Sequence, residues 1–566
     1  MSKKEFVKNL VSKMTVEQKV GQCFVIGYVG ATVTPEIIRR IKEYNPAGIR
    51  AGLMWRIRTV KHDPNGTNTD YAHRMLRPFK GTIKDFLPDI PVPHFTNEEF
   101  CEYVNTLKKA AEERDGGIPL HFTFDFEGDV SADYYRGGVK FFPSCMGLAH
   151  SGDTGMAHDV AWAVGRQLAP LGFSWVHSPV LDVNTNPMNP EIGARSYAET
   201  TEDVIAHARE ALKGFKESGI IATGKHFPGR GPSAADAHHG LPVIDESREE
   251  LMKHIEPYRQ MIKEGLLPAV MTAHTAYPEL DPSGLPATLS KPIITGILKE
   301  ELGFEGVVTT DEITMGGIIS KFEVKDACVM AINAGCDLVL LRDEGGLIDD
   351  VIPGVVEAVK NGTLPMERLD DAVTRTLSVK YDYGFFDKPQ ILDTVKASEG
   401  INDPKVAEIA AKAAKQAINV IRDENNILPV SKDKKVLLVY QVNPLRERVN
   451  TQSMNPATPW LEMLKKSDNV YCVETTMKYS ENDRKRVYER IDEADVIAIT
   501  NYFDRRSPES GNSFVKELHQ KTDKPIIVLT NSPYPFTVQD DYKTVICSYS
   551  SSLESSKEIA NTVFGE

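Results

Sequence analysis

Residues 306–318 read GVVTTDEITMGGI, and this stretch decides the fold class. It opens with small and β-branched residues, which is typical of a buried strand, and it ends at two carboxylates, Asp311 and Glu312. Because side chains alternate along a strand, only one of these carboxylates can face a given side of the sheet. A carboxylate fixed at a strand end can act as a nucleophile, or it can form an ordinary ion pair with Lys or Arg.

Seven other apolar runs resemble this one between about residues 20 and 345. They are CFVIGYV, AGIRAGLMW, PLHFTFDFEG, FSWVHSPVLDV, GIIATGKHFPG, PAVMTAHTAYP and CDLVLLRD. Helical patterns separate the runs, and unbroken apolar strands that alternate with helices indicate a parallel sheet buried on both faces. Eight such strands predict an α/β fold of the (β/α)8 TIM type, a closed barrel.

Most of the apolar runs end in an ionisable side chain. These ends are Asp125, Asp182, Lys225 with His226, His274, Asp311 and Asp343. In a barrel of this kind the carboxyl ends of the strands meet at one rim, where the βα loops converge and active sites form. A single ionisable end is ordinary loop chemistry, but their repetition predicts a polar site at this rim.

A loop rich in Gly, Pro and Ala follows the fifth run, and it carries Asp236, His238 and His239. In an Asp-x-His segment the carboxylate can contact the imidazole, fix its tautomer and raise its basicity. Such a histidine can protonate a leaving oxygen and later deprotonate water. The alternatives are a solvated loop or a metal site. Because the histidine spacing matches no standard zinc pattern, we predict no metal.

The remaining sequence predicts a second, smaller domain. We expect the barrel to occupy residues 1–385, a linker 386–403 and an α/β sandwich domain 404–566, where four apolar runs alternate with helical stretches after a helix and a short strand. Residues 56–100 are long, polar and Pro-containing and are predicted to form an inserted loop or lid near the second strand. Residues 183–200 form another irregular loop.

Composition limits the partners and the compartment. The net charge is −14 and no Lys/Arg run stands out, which argues against nucleic acid or an anionic membrane as the main partner. The seven cysteines are scattered without a CxxC pair and are interpreted as buried thiols in a reducing compartment. The N-terminus lacks the apolar core of a signal peptide, so we expect a cytoplasmic protein. The oligomeric state is not readable from the sequence.

The motifs resemble glycoside hydrolase family 3, specifically its β-N-acetylglucosaminidase branch. The matching pieces are LDVNTNPMNPEIGARSY, GKHFPGRG with the following D-x-H, MTAHTAYPELDPSGLPATLS, LGFEGVVTTDEITM and, at the second domain, AINVIRDENNILPV. The resemblance implies that Asp311 is the nucleophile, His238 the general acid/base and Asp236 the residue that orients it. It further implies that four residues bind the sugar: Asp125, Arg195, Lys225 and His226.

Departures from the family pattern lie beside these positions. The branch usually has GHGD where this chain has GRGP, so Arg230 places a permanent cation near the catalytic loop and Pro232 replaces an Asp. That cation would favour a neutral imidazole or contact an anionic substrate group. The segment after Asp125 lacks the usual EGGRVQR, and Arg136 is a candidate for the missing sugar-binding Arg.

The resemblance implies a retaining glycoside hydrolase that removes a terminal β-linked sugar, most simply N-acetylglucosamine, from a small carbohydrate through a glycosyl-Asp intermediate. Such chemistry needs no cofactor. Three alternatives stay open: a β-glucosidase or β-xylosidase, a glycoside phosphorylase that uses phosphate in place of water, and a non-catalytic sugar-binding protein.

Overall fold

The computed structural model describes residues 2–28, 33–50, 96–128, 131–134, 138–342, 346–387, 390–442, 462–503 and 511–565. Nearly all of the predicted insertion 56–100 lies outside these ranges, and so do Arg136 and Asp343. The sequence-based expectations for these residues therefore stay predictions.

The first part of the chain forms the predicted closed barrel of eight parallel strands, each paired with the next and β8 with β1. The strands are β1 (Phe24–Gly27), β2 (Gly48–Arg50), β3 (His121–Phe124), β4 (Trp175–Val176), β5 (Ile221–Phe227), β6 (Ala269–Thr272), β7 (Val307–Glu312) and β8 (Leu338–Leu341). Each lies inside one of the predicted runs. The prediction of a (β/α)8 TIM-type barrel is confirmed.

Helices precede the barrel and connect its strands. They are α1 (Lys3–Val11), α2 (Val16–Gly21), α3 (Pro35–Tyr44), α4 (Asn97–Glu112), α5 (Cys145–His150), α6 (Thr154–Leu168), α7 (Thr201–Glu217), α8 (Arg248–Lys263), a π-helix (Pro292–Glu301), α9 (Gly316–Ile319), α10 (Val324–Ala334), α11 (Ile348–Lys360) and α12 (Met366–Asp382). Several begin with a side-chain cap, as at Thr96 and Thr200, whose hydroxyls accept hydrogen bonds from backbone N–H groups of the first turn.

Alternation along the strands separates two apolar layers. Val25, Val307 and Leu338 belong to a cluster inside the barrel that also includes Trp175 and Met271. The neighbouring Val308 and Val339 pack outward in the large cluster between strands and helices. Burial on both faces explains why these strands read as continuous apolar runs in the sequence.

The second domain is built on a six-stranded sheet of order β11-β10-β12-β13-β14-β9. Its elements are α13 (Pro404–Ala417), β9 (Asn419–Asp423), β10 (Val436–Val442), β11 (Val470–Thr476), α14 (Glu481–Tyr488), β12 (Val496–Thr500), α15 (Asn512–Lys521), β13 (Ile526–Thr530), β14 (Thr544–Cys547) and α16 (Leu553–Phe564). Only β9 is antiparallel to its neighbour among the described strands. The expected α/β domain is confirmed, and its boundaries at 385 and 404 stay predictions.

The second domain packs directly against the barrel. The backbone N–H of Ser144 donates to the carbonyl of Tyr549, which follows β14, at 3.0 Å. A Cβ on Gly147 would lie 2.5 Å from the Cβ of Tyr549, so the glycine permits this close approach of helix α5 to the second domain.

All seven cysteines are free thiols, and six of them are buried, as predicted; Cys472 is partly exposed. Among the described residues, none of the helices combines the length and apolar character needed to cross a bilayer.

Candidate active site

Asp311 lies at the C-terminal end of β7 and faces the residues of the rim. One carboxylate oxygen accepts the backbone N–H of Glu312 at 2.8 Å, and the other lies 3.7 Å from Arg230 Nη2 and 3.9 Å from His226 Nε2. Burial alone would raise the pKa of Asp311. The positive charge of Arg230 outweighs burial and, together with the hydrogen bond from the backbone N–H of Glu312, holds this pKa below its usual value. Asp311 is therefore ionised at neutral pH.

The side chain of the adjacent Glu312 has different partners from that of Asp311, as the alternation of side chains along a strand predicts. Its Oε1 accepts from the hydroxyl of Thr314 at 3.0 Å and from the backbone N–H of Arg342 at 3.0 Å. Burial raises the pKa of Glu312 to about 7, so this carboxyl is close to half-protonated at neutral pH. Of the two carboxylates, only Asp311 lies within 4 Å of a charged side chain of the rim among the described residues.

Lys225 joins two carboxylates at the end of β5. Its Nζ lies 3.1 Å from Asp125 Oδ1 and 2.5 Å from Glu127 Oε1. Glu127 also forms a two-pronged ion pair with Arg195, at 2.6 Å to Nε and 3.1 Å to Nη2. Burial opposes ionisation of Glu127, but Arg195 and Lys225 lower its pKa to about 2. The predicted sugar-binding residues Asp125, Lys225 and Arg195 thus lie in one charged network.

Asp125 has two further partners. Arg50, the last residue of β2, donates from Nη2 to Asp125 and lies 2.8 Å from Asp133. His177 Nδ1 lies 3.6 Å from Asp125 Oδ1. Burial raises the pKa of Asp125, but Arg50 and Lys225 together hold it well below its ordinary range. Asp125 keeps 19% of its side chain exposed, so it can still reach a ligand.

Asp182 fixes the turn that leaves β5. Its two carboxylate oxygens accept from His226 Nδ1 at 2.7 Å and from the backbone N–H of Arg230 at 2.7 Å. Burial raises the pKa of Asp182 to about 6. The turn passes very close to the preceding loop, because a Cβ on Gly231 would lie 1.6 Å from the carbonyl oxygen of Val183. Only glycine fits at this point.

Arg230 is buried between two carboxylates. Its Nη2 lies 2.9 Å from Glu191 Oε1, besides the 3.7 Å contact to Asp311, and the side chain is only 2% exposed. Arg230 therefore lies near the loop that carries His238, as predicted. The alternative that it contacts an anionic substrate group is not favoured, because a residue so deeply buried offers a ligand almost no surface.

His238 and Asp236 form the predicted pair. The imidazole Nδ1 lies 2.6 Å from Asp236 Oδ1, and the backbone N–H of His238 donates to the same oxygen at 2.8 Å. Glu191 Oε1 is a second carboxylate oxygen and lies 3.3 Å from this nitrogen. Because Glu191 also pairs with Arg230, its negative charge offsets the effect of the Arg230 charge on the imidazole. The side chain of His238 is 42% exposed, which makes it the most accessible member of the site described so far.

The loop that carries His238 is attached to the segment after β7. The backbone N–H of Gly317 donates to the carbonyl of Ala237 at 2.8 Å. A Cβ on Gly316 would lie 2.5 Å from the carbonyl oxygen of His238. The acid/base candidate and the nucleophile candidate are therefore held by neighbouring backbone segments.

One group of side chains in the described residues has the geometry to hold a metal ion. Ligand atoms of Glu191, Asp236 and His238 lie within 4.8 Å of one another. The short contact of His238 to Asp236 and the pairing of Glu191 with Arg230 already account for these positions.

Structure and sequence agree on which residues meet at the rim, but the sequence missed several partners. Arg50, Glu127, His177 and Glu191 contact the predicted residues and were not identified as site residues. Arg50 had a visible signal, since it is a charged residue within an apolar run. Glu191 had little, because it lies in an irregular loop.

The C-terminal rim of the barrel, where active sites of this fold form, thus gathers buried carboxylates, Lys and Arg side chains and an Asp–His pair. The sequence model described as the glycosyl hydrolase family 3 N terminal domain matches residues 94–379, which is half of the chain. The chain belongs to glycosyl hydrolase family 3.

Relatives within this family support the same placement. The chain is 30% identical over 372 residues to a protein named Beta-hexosaminidase A of Pseudoalteromonas piscicida, covering 62% of this chain and 61% of that protein. It is 29% identical over 341 residues to one named Beta-N-acetylglucosaminidase/beta-glucosidase of Cellulomonas fimi, covering 58% of each. The matched stretches thus span about three fifths of the length of these two relatives.

A solved structure matches the whole chain. It is a glycoside hydrolase family 3 beta-N-acetylglucosaminidase from Paenibacillus sp. str. FPU-7, with 28% identity and a TM-score of 0.82. The match covers 98% of this chain and 97% of that one, so both domains share their arrangement with a member of the family.

Proposed function

We propose that this chain is a retaining exo-glycosidase that removes terminal β-linked N-acetylglucosamine from small carbohydrates. The observation that carries the proposal is that Asp311, kept ionised at the end of β7, shares one rim with the His238–Asp236 pair. A carboxylate nucleophile and a titratable acid/base are the two groups that a retaining mechanism requires.

In the first step the carboxylate oxygen of Asp311 bonds to the anomeric carbon while the bond to the aglycone oxygen breaks. Because Nδ1 of His238 faces Asp236, Nε2 carries the proton that passes to the departing oxygen. In the second step Nε2 removes a proton from water, the water oxygen bonds to the anomeric carbon, and Asp311 departs as a carboxylate. The anomeric configuration is inverted twice and so retained.

The charged network around Lys225 is suited to hold the sugar. Asp125 supplies a partly exposed carboxylate that accepts from sugar hydroxyls, while Lys225 and Arg195 supply cations. Arg50 donates to Asp125 from the neighbouring strand. We propose that Arg50 supplies the guanidinium that the chain lacks after Asp125, in the position for which Arg136 was the sequence-based candidate.

The identity of the sugar rests on the similar proteins. Two of them carry β-N-acetylglucosaminidase in their printed names, and a third is a beta-hexosaminidase. The Cellulomonas fimi protein is also named a beta-glucosidase, which keeps the β-glucosidase alternative in the test.

The test compares purified enzyme on 4-nitrophenyl β-N-acetylglucosaminide, β-glucoside and β-xyloside, each with and without inorganic phosphate. We expect the highest kcat/KM on the N-acetylglucosaminide and free sugar as the product. Preference for the glucoside would replace the substrate assignment, and sugar 1-phosphate formed only with phosphate would make the enzyme a phosphorylase. Activity on none of the three, together with no covalent adduct from fluorinated glycosides, would favour a non-catalytic sugar-binding protein.

The acid/base role is tested with His238→Ala. Loss of proton donation should reduce kcat/KM about 10²- to 10⁴-fold on aryl glycosides with poor leaving groups. A good leaving group such as 2,4-dinitrophenolate departs without protonation, so its glycosylation step should be nearly unchanged. His239→Ala is the matched control, because His239 is the next residue in the same loop. An equal loss on both kinds of substrate would contradict the assignment.

A further inference from the structure

We infer that Arg230 and Glu191 are a positioning pair that couples the nucleophile Asp311 to the acid/base His238. The inference rests on the proposed function, because it assigns a task to two residues through the catalytic pair named there. Neither residue touches the substrate in this scheme. Both act through the groups that do.

The geometry is a continuous chain of four groups. A single nitrogen, Arg230 Nη2, lies 3.7 Å from Asp311 Oδ2 and 2.9 Å from Glu191 Oε1. The same Glu191 oxygen lies 3.3 Å from Nδ1 of His238. One guanidinium nitrogen and one carboxylate oxygen therefore span the distance between the two catalytic residues.

Burial makes these contacts strong. Arg230 is 2% and Glu191 1% exposed, so little water screens the charges, and Coulomb interactions at this distance are larger than at the surface. The carboxylate of Glu191 is firmly ionised, because the opposing charge of Arg230 overcomes burial and lowers its pKa to about 2. The pair therefore presents a fixed positive charge to Asp311 and a fixed negative charge to His238.

The backbone of both residues is anchored by Asn189. Its side-chain amide donates to the carbonyl of Arg230 at 2.9 Å, and its side-chain oxygen accepts the backbone N–H of Glu191 at 2.9 Å. Asp182 accepts the backbone N–H of Arg230 at 2.7 Å. Positions of the two side chains are thus set by the turn after β5 and the loop 183–200 together.

The guanidinium of Arg230 has contacts to carboxylates through one nitrogen only. Nε and Nη1 of Arg230 are buried and have no hydrogen-bond partner among the residues that the structure describes. The charge of Arg230, directed at two carboxylates, is the property that the site uses.

Other ionisable groups around Asp311 do not replace Arg230. From β5, His226 lies 3.9 Å away, and burial holds its pKa well below the ordinary value, so it is neutral. Lys225 is held by Asp125 and Glu127. Burial also lowers the pKa of His274, which follows β6, so this imidazole is neutral. Glu312 on β7 is a carboxyl group and supplies no positive charge. Arg230 is the nearest full positive charge in the described part of the chain.

The pair also suits the change of charge during turnover. When Asp311 forms the glycosyl ester it loses its negative charge, and Arg230 then acts on Glu191 alone. The negative charge of Glu191 is then more fully neutralised by Arg230, so Glu191 stabilises the imidazolium of His238 less. Neutral His238, which the second step needs as a base, is therefore favoured after the first step.

The test measures the pH dependence of kcat/KM and of covalent adduct formation from a fluorinated N-acetylglucosaminyl fluoride, read by intact mass. Arg230→Met should move the acidic limb of both profiles upward by about one pH unit or more. It should also lower kcat/KM at neutral pH about 10- to 100-fold by misplacing the carboxylate. Arg230→Lys should restore the acidic limb. Glu191→Gln should lose more rate with poor than with good leaving groups.

Removing one partner leaves a buried charge alone, so the double variant Glu191→Gln/Arg230→Met is measured in parallel and should show the same upward shift. Arg368→Met, which removes a partly buried arginine at the opposite end of the barrel, should lower the Tm without moving the acidic limb. An acidic limb at the same pH as in the wild type, in folded Arg230→Met or in the double variant, would overturn the inference. Adduct formation in Asp311→Asn would instead overturn the proposed function.

Discussion

Two buried ion clusters at opposite ends of the barrel use the same residue types differently. At the N-terminal end, Asp337 precedes β8 and accepts from Lys299 at 2.8 Å and from the backbone N–H of Val308 at 2.8 Å. Arg368 joins it, and the Nε, Nη1 and Nη2 of that arginine all donate to carbonyls or carboxylates. Every side-chain nitrogen of Arg368 is therefore used.

At the C-terminal rim, the corresponding side chains have atoms without hydrogen-bond partners in the described part of the chain. Arg230 has two side-chain nitrogens without a hydrogen-bond partner among the described residues, and Glu312 has one such oxygen. Leaving buried polar atoms unsatisfied costs stability, and folds accept this cost mainly where chemistry needs it. We interpret the Asp337 cluster as serving stability and the Asp311 cluster as serving the proposed reaction.

The largest expected effect is on Asp311. Asp311→Asn removes the nucleophile, and turnover should fall by about 10⁴-fold or more, because a group that carries a covalent step has no substitute. The Tm should change little, and sugar binding should remain measurable by calorimetry. Near-native turnover in this variant would show that the rim cluster has another purpose.

Asp337→Asn should lower stability and leave activity nearly unchanged, which is the reverse of the result expected for Asp311→Asn. Lys299 and Arg368 would lose their buried partner and keep only the more exposed Asp371, and the free energy of unfolding should fall by up to about 3 kcal/mol. Activity of the folded enzyme should stay within about twofold of wild type, since the cluster lies at the end of the barrel opposite the site. Denaturant titration measures the loss. The matched control is Asp382→Asn, which breaks an exposed pair with Lys3 and should cost at most about 1 kcal/mol.

The smallest effect is a pH dependence of stability at Glu312. Burial raises the pKa of this carboxyl to about 7 in the folded protein, so the folded state binds the proton more tightly than the unfolded chain. The stability contributed by this proton is present below the unfolded pKa and is lost as the pH rises through about 7. Glu312→Gln should therefore remove about 2 kcal/mol of pH dependence between mildly acidic and neutral pH. Parallel curves for variant and wild type would contradict the assignment.

The barrel could be predicted from sequence because its signals are local. Each strand is buried on both faces, so it reads as an apolar run, and the ends of parallel strands must meet at one rim. The positions of Asp125, Lys225, His226 and Asp311 at strand ends are therefore enough to predict that they share that rim. The Asp236–His238 contact follows from a spacing of two residues. The catalytic and binding roles of these residues stay predictions.

Contacts between distant segments could not be predicted in the same way. The run AGIRAGLMW continues past the end of β2, so the sequence did not mark Arg50 as a strand end. Glu191 lies in a loop without periodicity, and its pairing with Arg230 depends on how two loops cross. Strand β11 was missed because it is an edge strand with alternating burial, and it lacks the continuous apolar run of its neighbours.

The attachment of the His238 loop to the segment after β7 bears on how this enzyme can be altered. Gly316 and Gly317 bind the loop close behind the strand that carries Asp311. The separation of Asp311 and His238, the two groups proposed to react, is thus set in part by these two glycines. The stretch between Gly231 and Asp236 is itself anchored, because the side-chain amide of Asn186 donates to the carbonyls of Pro232 and Ser233, so insertions there should disturb the site. Any side chain larger than hydrogen at Gly316 would change the spacing of the proposed catalytic pair itself.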